Sequence, residues 1–231
     1  MVMAHEATPR IARKRELKSE AILDAANGVL VREGLDGLTV ARVAAELDLV
    51  PAALYRYYDS KDALLAGLQR RAVLRIGDVI QRALGRARTF SSEGLSCLTR
   101  LLVMAEAYAA LPAEAPQAWH LVSLMLAEPK PLLSAEQAAR TAPLLAALVM
   151  DLRQILERAV ASRALARGDL AERLLAFWAT VHGAAALVKI RLWVPQLADS
   201  RTVALDAVTA LLRGWGADPK LLAKARKEAV R

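Results

Sequence analysis

The chain has 231 residues, of which 55% are hydrophobic, and carries a formal net charge of +8. That length accommodates one generous domain or two small ones with a substantial core, and an Ala- and Leu-rich composition without strand-length alternation excludes a sheet protein and points to an all-α fold. The charge does not by itself mark a nucleic-acid binder, because residues 1–75 hold 12 Lys and Arg against 10 Asp and Glu while residues 76–231 hold 20 against 14.

The N-terminal segment MVMAHEATPR lacks an apolar core of signal-peptide length. A basic cluster follows (Arg10, Arg13, Lys14, Arg15, Lys18), read either as a solvated, frayed terminus or as an arm beside phosphate. The first helix is predicted from about Arg13 to Arg32, with Ile22, Leu23, Ala26, Leu30 and Val31 as its apolar stripe and Gly34 ending it. Thr39 can cap a second helix whose buried positions are Val40, Val43, Ala44 and Leu47. Pro51 suits the first turn of a third helix, predicted over Pro51–Tyr58, and Ser60 opens a long fourth helix to about Arg86.

Further on, Pro112, Pro116, Pro129 and Pro131 divide a helix near Glu93–Leu111 from one near Gln117–Ala127. A stretch from Ser134 to about Ala166 is expected to restart or kink at Pro143. Asp169 and Glu172 form a capping-box-like pair, opening a helix expected to reach Trp193. Helices near Ser200–Arg213 and from Asp218-Pro219 complete about nine to ten in all. The longest apolar run, Leu174 to Val188, is shorter than the roughly 20 residues a bilayer span needs. A soluble, cytoplasmic chain with no membrane partner is expected.

The single cysteine, Cys97, excludes an intramolecular disulfide and a multi-cysteine zinc site, and fits a small core residue better than a sensor. No His, Cys and carboxylate cluster has metal-ligand spacing and no Gly-rich phosphate loop occurs, so no metal, cofactor or catalytic residue is expected.

Thr39 to Lys61, TVARVAAELDLVPAALYRYYDSK, carries the clearest functional pattern: two short helices, a tight connection, a tyrosine-rich end and a lysine. With Val40, Val43, Ala44, Leu47, Leu49 and Leu54 packed inward, Pro51, Ala52, Ala53, Tyr55, Arg56 and Tyr57 remain to face outward, as a helix entering a major groove requires. By pattern alone, a short Ala- and Leu-rich packing unit with tyrosines is the competing explanation.

Residues 19–68 resemble the N-terminal domain of the TetR family of transcriptional regulators. The likeness rests on Ile22-Leu23-Asp24-Ala25-Ala26, Gly34, Thr39-Val40, Pro51, Leu54-Tyr55-Arg56-Tyr57-Tyr58, Ser60-Lys61-Asp62 and Leu64-Leu65. The resemblance implies that Thr39, Tyr55, Tyr57 and Lys61 contact phosphates, and that Pro51, Ala52 and Ala53 lie nearest base edges with Arg56 beside them. Arg42 and Val50 complete the expected DNA-facing set. Three positions depart from the family pattern: Val50 stands where a capping Ser or Thr is common, Asp48 where the turn glycine is usual, and Tyr57 where His is frequent. With Pro-Ala-Ala on the base-facing side, specificity is expected from apolar contact, Arg56 and DNA shape.

The resemblance also implies the wider architecture. A helix-turn-helix DNA-binding domain at 13–75 is joined by a long helix to a helical effector-binding and dimerisation domain at 76–231. The segment Trp178-Ala-Thr-Val-His182-Gly183 is similar to the W-x-x-x-H-G signature of one group of such C-terminal domains. Met104, Tyr108, Trp119, His120, Met125, Phe177, Trp178 and His182 are candidates to line an apolar effector pocket. Trp178, Val181, Gly183, Ala185, Val188, Leu192, Val208 and Leu211 are candidates for a two-fold dimer interface. The expected partners are a double-stranded DNA operator, a small hydrophobic effector and a second copy of the chain. Effector binding would act by shifting the fourth helix. A helical scaffold with a vestigial helix-turn-helix, or a helical enzyme, are the alternatives.

Overall fold

The computed structural model describes residues 9–128, 131–196 and 199–230. Among these the chain forms eleven α-helices and no strand: α1 (Pro9–Gly37), α2 (Val40–Glu46), α3 (Pro51–Tyr55), α4 (Lys61–Arg86), α5 (Glu93–Ala109), α6 (Leu111–Glu114), α7 (Pro116–Ala127), α8 (Ala135–Ala161), α9 (Leu170–Ala186), α10 (Ser200–Gly214) and α11 (Pro219–Ala229), with a 3₁₀ segment at Leu187–Leu192. None of these helices is long and apolar enough to cross a membrane. The chain divides into two compact units, Met1–Arg71 with Glu128–Thr141, and Ala72–Ala127 with Ala142–Arg231.

In the first unit, the core is built from Ile22, Leu23, Ala26, Val29 and Leu30 of α1, Val40, Val43 and Ala44 of α2, Leu54 of α3, and Leu64, Leu65 and Leu68 of α4. Each fully buried Leu contributes on the order of 1.5–3 kcal/mol of apolar transfer. Val31 is not part of this stripe but 56% exposed, because the helical repeat from Ile22 and Ala26 runs through Val29 and Leu30 and turns Val31 outward. Gly34, at φ 71°, interrupts α1 in a conformation that side-chain-bearing residues avoid. Thr39 then caps α2, its hydroxyl oxygen accepting the Arg42 N–H at 3.1 Å. Asp48 takes the left-handed turn position at φ 54°.

Close approach at Gly67 holds α4 on α1: a Cβ there would lie 2.9 Å from the Tyr58 ring and 3.0 Å from Leu23. Arg71 fastens the same pair of helices, donating to Asp24 at 2.7 Å and to the Leu23 carbonyl at 3.0 Å. The Glu128–Thr141 segment joins this unit through Ser134, whose N–H donates to the Asp62 carboxylate at 3.1 Å and whose hydroxyl bonds the same group.

In the second unit α5 is the central element. Apart from Arg100 and Glu106, its residues from Gly94 to Ala109 are buried, with α9, α10 and α11 packed around it. A helix enclosed in this way carries apolar residues on all sides, as the Leu95–Ala105 stretch does. Asp169, Asp199 and Asp218 cap α9, α10 and α11, each side chain accepting a first-turn N–H. Arg173 is buried, donating to the carbonyls of Ala166 at 2.7 Å and Arg167 at 3.4 Å while lying over the Trp215 ring.

Several boundaries differ from expectation: α1 begins at Pro9 rather than Arg13, and α3 ends at Tyr55 rather than Tyr58. α9 ends at Ala186 rather than Trp193, the chain tightening to 3₁₀ geometry where Val188 and Ile190 bring β-branched residues of poorer helix propensity. α8 runs unbroken through Pro143 and stops at Ala161, shortly before Arg163 adopts φ 59°.

Candidate nucleic-acid interface and effector region

The surface formed by α2, the turn and α3 is built by local chemistry. Leu54, fully buried, anchors α3, and the N–H groups of Leu47 and Leu49 return to the Ala44 carbonyl. With α3 only one and a half turns long, everything except Leu54 is open or half-open: Pro51, Ala52, Tyr55 and Arg56 are exposed, and Ala53 and Tyr57 half-buried. Val50 precedes the helix with no side-chain cap and is 68% exposed. Leu49, expected in the core, is instead 43% exposed beside it. Its position directly after the left-handed Asp48, where the chain leaves the α2 periodicity, was the signal that it faces outward.

The polar members are held in defined ways. Thr39 uses an oxygen lone pair for capping, which leaves its O–H free to donate. Lys61 donates to the Leu35 carbonyl and keeps two further N–H groups. Arg42 is tied into a charged chain on the flank of α2, bonding Glu33 at 2.8 Å and Glu46 at 3.0 Å, with Arg32 reaching Glu46 at 2.8 Å. Its guanidinium therefore positions α2 against α1. Tyr58, given no role of its own in the sequence reading, bonds the Ser19 hydroxyl at 2.8 Å and locks the end of this surface to α1. The basic residues Arg10, Arg13, Lys14, Arg15 and Lys18 lie exposed on α1, without an ion-pair partner among the described residues.

In the second unit, four of the predicted pocket residues come together. His182 lies against two indoles, its ring centroid 4.8 Å from Trp119 and 5.4 Å from Trp178, and Tyr108 meets it edge-on at 6.1 Å. Trp178 Nε1–H donates to Tyr108 Oη at 3.2 Å, and Tyr108 Oη lies 3.1 Å from His182 Nδ1. Burial pushes the Tyr108 hydroxyl up to about 12 and lowers the His182 pKa, so both groups are neutral at pH 7. Met104 and Phe177 are buried in the surrounding core, and Met125 sits half-buried on a different face of α7 from Trp119. His120 is exposed.

A cleft of about 530 Å³ elsewhere in this unit contains none of these residues. Its charges largely pair with one another, Arg88 with Glu228 at 3.1 Å and Arg201 with Glu114 at 3.1 Å. Cys97 is buried and its thiol is raised to about 11, which leaves it protonated and unreactive.

The expected dimer face divides. Val181, Ala185 and Val208 are buried in the chain's own core, where a second copy cannot reach them. Trp178 remains 38% exposed, and Gly183 and Leu211 are half-buried. The side chains of Val188 and Leu192 lie outside the described residues. The outward side of α9 instead presents Leu175, 66% exposed, with Ala179 and Ala186, and Leu187 follows at 51%.

Comparison with known proteins agrees with this geometry. The family profile of bacterial regulatory proteins, tetR family, matches residues 22–68. It ends well before the Trp178–Gly183 segment. Over 73 residues the chain is 30% identical to the HTH-type transcriptional regulator BetI of Brucella anthropi, a match covering 32% of this chain and only 38% of that regulator. Among solved structures, the TetR family transcriptional regulator PfmR from Thermus thermophilus superposes with a TM-score of 0.61 at 22% identity, covering 83% of this chain and 97% of that one. The transcriptional regulator FadR from Bacillus subtilis, solved in complex with stearoyl-CoA, superposes with a TM-score of 0.65 at 16% identity, covering 84% of this chain and 98% of that one. Residues 22–68 thus match the tetR family profile, and the all-α fold around them is similar to that of solved TetR family transcriptional regulators.

Proposed function

We propose that this protein is a ligand-responsive regulator that binds a palindromic operator as a homodimer, most simply a repressor released by a small hydrophobic effector. The carrying observation is the face of α3, which leaves Val50, Pro51, Ala52, Tyr55 and Arg56 in solvent while Leu54 alone anchors the helix. Tyr55, Tyr57, Thr39 and Lys61 supply donors for phosphate oxygens, and the small apolar residues Pro51 to Ala53 leave sequence choice to methyl contact, Arg56 and DNA shape. Arg42 supports this surface through its ion pairs and reaches the backbone only at its edge.

A two-fold dimer sets paired recognition helices about 34–36 Å apart, on successive major grooves of one duplex face. The outward side of α9, with Leu175, Ala179, Ala186 and Leu187, is the proposed dimer surface, in place of the buried valines. The effector region is the cluster of Trp119, Trp178, His182 and Tyr108. The stearoyl-CoA bound by the FadR relative supports a largely apolar effector. Because α4 is continuous from Lys61 to Arg86, a ligand that prefers one disposition of this helix changes operator affinity by its differential affinity for the two.

A gel shift with the DNA upstream of the protein's own coding sequence tests the proposal. A specific complex that weakens steeply with salt, and is lost on replacing Tyr55 and Lys61 by Ala, supports it. An interaction scaffold with a vestigial helix-turn-helix would form no such complex and would keep its partners in that variant.

A further inference from the structure

We infer that the second unit holds a further ligand site, apart from the aromatic cluster: a cleft that takes a zwitterion, its carboxylate on Arg86 and its ammonium on Glu106, joined by a short apolar chain. The cleft has a volume of about 530 Å³ and is lined by residues of α4, α5, α6, α10 and α11, all within that unit. Val79, Val103, Ala107 and Ala110 give it an apolar floor.

Helix directions separate its charges into two ends. A Cβ at Gly94 would lie 3.6 Å from Leu221, so α5 and α11 start side by side, and the far end of α11 brings Glu228 alongside Val103. The Ser200 hydroxyl donates to the Ala109 carbonyl at 3.2 Å, which sets Arg201 beside Ala110. Val103 and Ala110 are two turns apart, roughly 10 Å along α5.

Each end carries an excess of one sign. At the first, Arg86 and Arg88 flank one carboxylate, Glu228, which pairs with Arg88 at 3.1 Å. Arg86 donates through Nε to the Arg82 carbonyl at 3.2 Å and forms no ion pair among the described residues. At the second, one guanidinium serves two carboxylates. Arg201 bonds Glu114 at 3.1 Å and stands 3.8 Å from Glu106, too far for a hydrogen bond. Arg86 and Glu106 thus line one cleft with opposite charges and do not pair with each other.

This pattern selects the ligand. A wholly apolar compound would strip water from both groups and replace it with nothing, and a singly charged one would match one end only. A zwitterion satisfies both: the planar guanidinium suits a carboxylate, and the Glu106 oxygens accept from an ammonium. The Val103–Ala110 floor sets a chain of about two helical turns between them. The Arg88–Glu228 and Arg201–Glu114 pairs stay intact and fix the two ends.

Isothermal titration of the full-length protein with three compounds of equal length tests the assignment. We expect 8-aminooctanoate to bind about tenfold or more tightly than 8-hydroxyoctanoate, which lacks the cation, and than 8-aminooctanamide, which lacks the anion. Arg86→Gln should reduce 8-aminooctanoate to the level of the amide and leave the amide unchanged. Glu106→Gln should reduce it to the level of the hydroxy acid and leave the hydroxy acid unchanged. Both side chains reach solvent, and circular dichroism confirms that each variant is folded. Absence of 8-aminooctanoate binding at millimolar concentration, equal or tighter binding of either singly charged compound, or zwitterion binding unaffected by both substitutions would overturn the assignment. No DNA is present, so the outcome is independent of operator binding.

Discussion

The proposed DNA-reading surface and the aromatic cluster are built by opposite means. On the first, the proposed contact side chains are short-range neighbours left in solvent: Thr39, Val50 to Ala52, Tyr55 and Arg56 occur within eighteen consecutive residues, and one buried leucine orients the helix. In the second, Tyr108, Trp119 and His182 come from three helices, the Tyr108–His182 hydrogen bond alone spanning 74 positions in sequence. Substitutions on the first surface should therefore change binding and spare stability. Substitutions around the second should change stability and ligand binding together.

The largest stability effect is expected at Phe177, fully buried on α9, where Phe177→Ala should cost about 3–5 kcal/mol, read as a lower denaturation midpoint. An equally large loss from Tyr55→Ala, a side chain 52% exposed, would break the contrast. The paired Tyr55→Ala and Lys61→Ala substitutions should instead weaken operator binding on the order of tenfold to a hundredfold, with helical content unchanged. Lys61→Ala alone should lower the salt-dependence slope by roughly 1. At Gly67, an added Cβ meets Tyr58 and Leu23 at 3.0 Å or less, so Gly67→Ala should destabilise the helix-turn-helix unit by about 1–3 kcal/mol in thermal unfolding.

A smaller effect is expected at Asp199, where Asp199→Ala removes the α10 cap at a cost of about 1 kcal/mol. Hydrogen bonds from Thr202 and Arg201 hold this carboxylate below its ordinary 3.8. Its folded pKa is thus lower than its unfolded one, so the cap's contribution is complete above about pH 4 and disappears as pH falls through the folded value. The wild type and Asp199→Ala should converge in stability there. The smallest change is a gain: Val50→Ser supplies the missing cap of α3 and should add up to about 1 kcal/mol.

What was legible in the sequence follows the same division. Caps and turns act over three or four residues, so Thr39, Asp48, Gly34, Asp169 and Asp218 could be placed correctly from the sequence. Periodicity identified the apolar face of α9 but not what covers it, which is why Val181 and Ala185 were expected at a dimer surface and are found in the chain's own core. Leu49 misled for a related reason, since the left-handed Asp48 before it resets which way the next side chain points. Trp119, Trp178 and His182 stood out by residue type, whereas the hydrogen bonds that join Trp178, Tyr108 and His182 are a property of the packed protein.

The central claim, that the exposed face of α3 reads DNA, is tested most directly by fluorescence anisotropy with a labelled duplex from the protein's own upstream region, titrated across a range of salt concentrations. The predicted result is a saturable, sequence-specific complex whose affinity falls steeply with salt and is lost in the Tyr55→Ala, Lys61→Ala variant while that variant remains folded. Equal affinity for unrelated duplexes, or an unchanged complex in the variant, would contradict it.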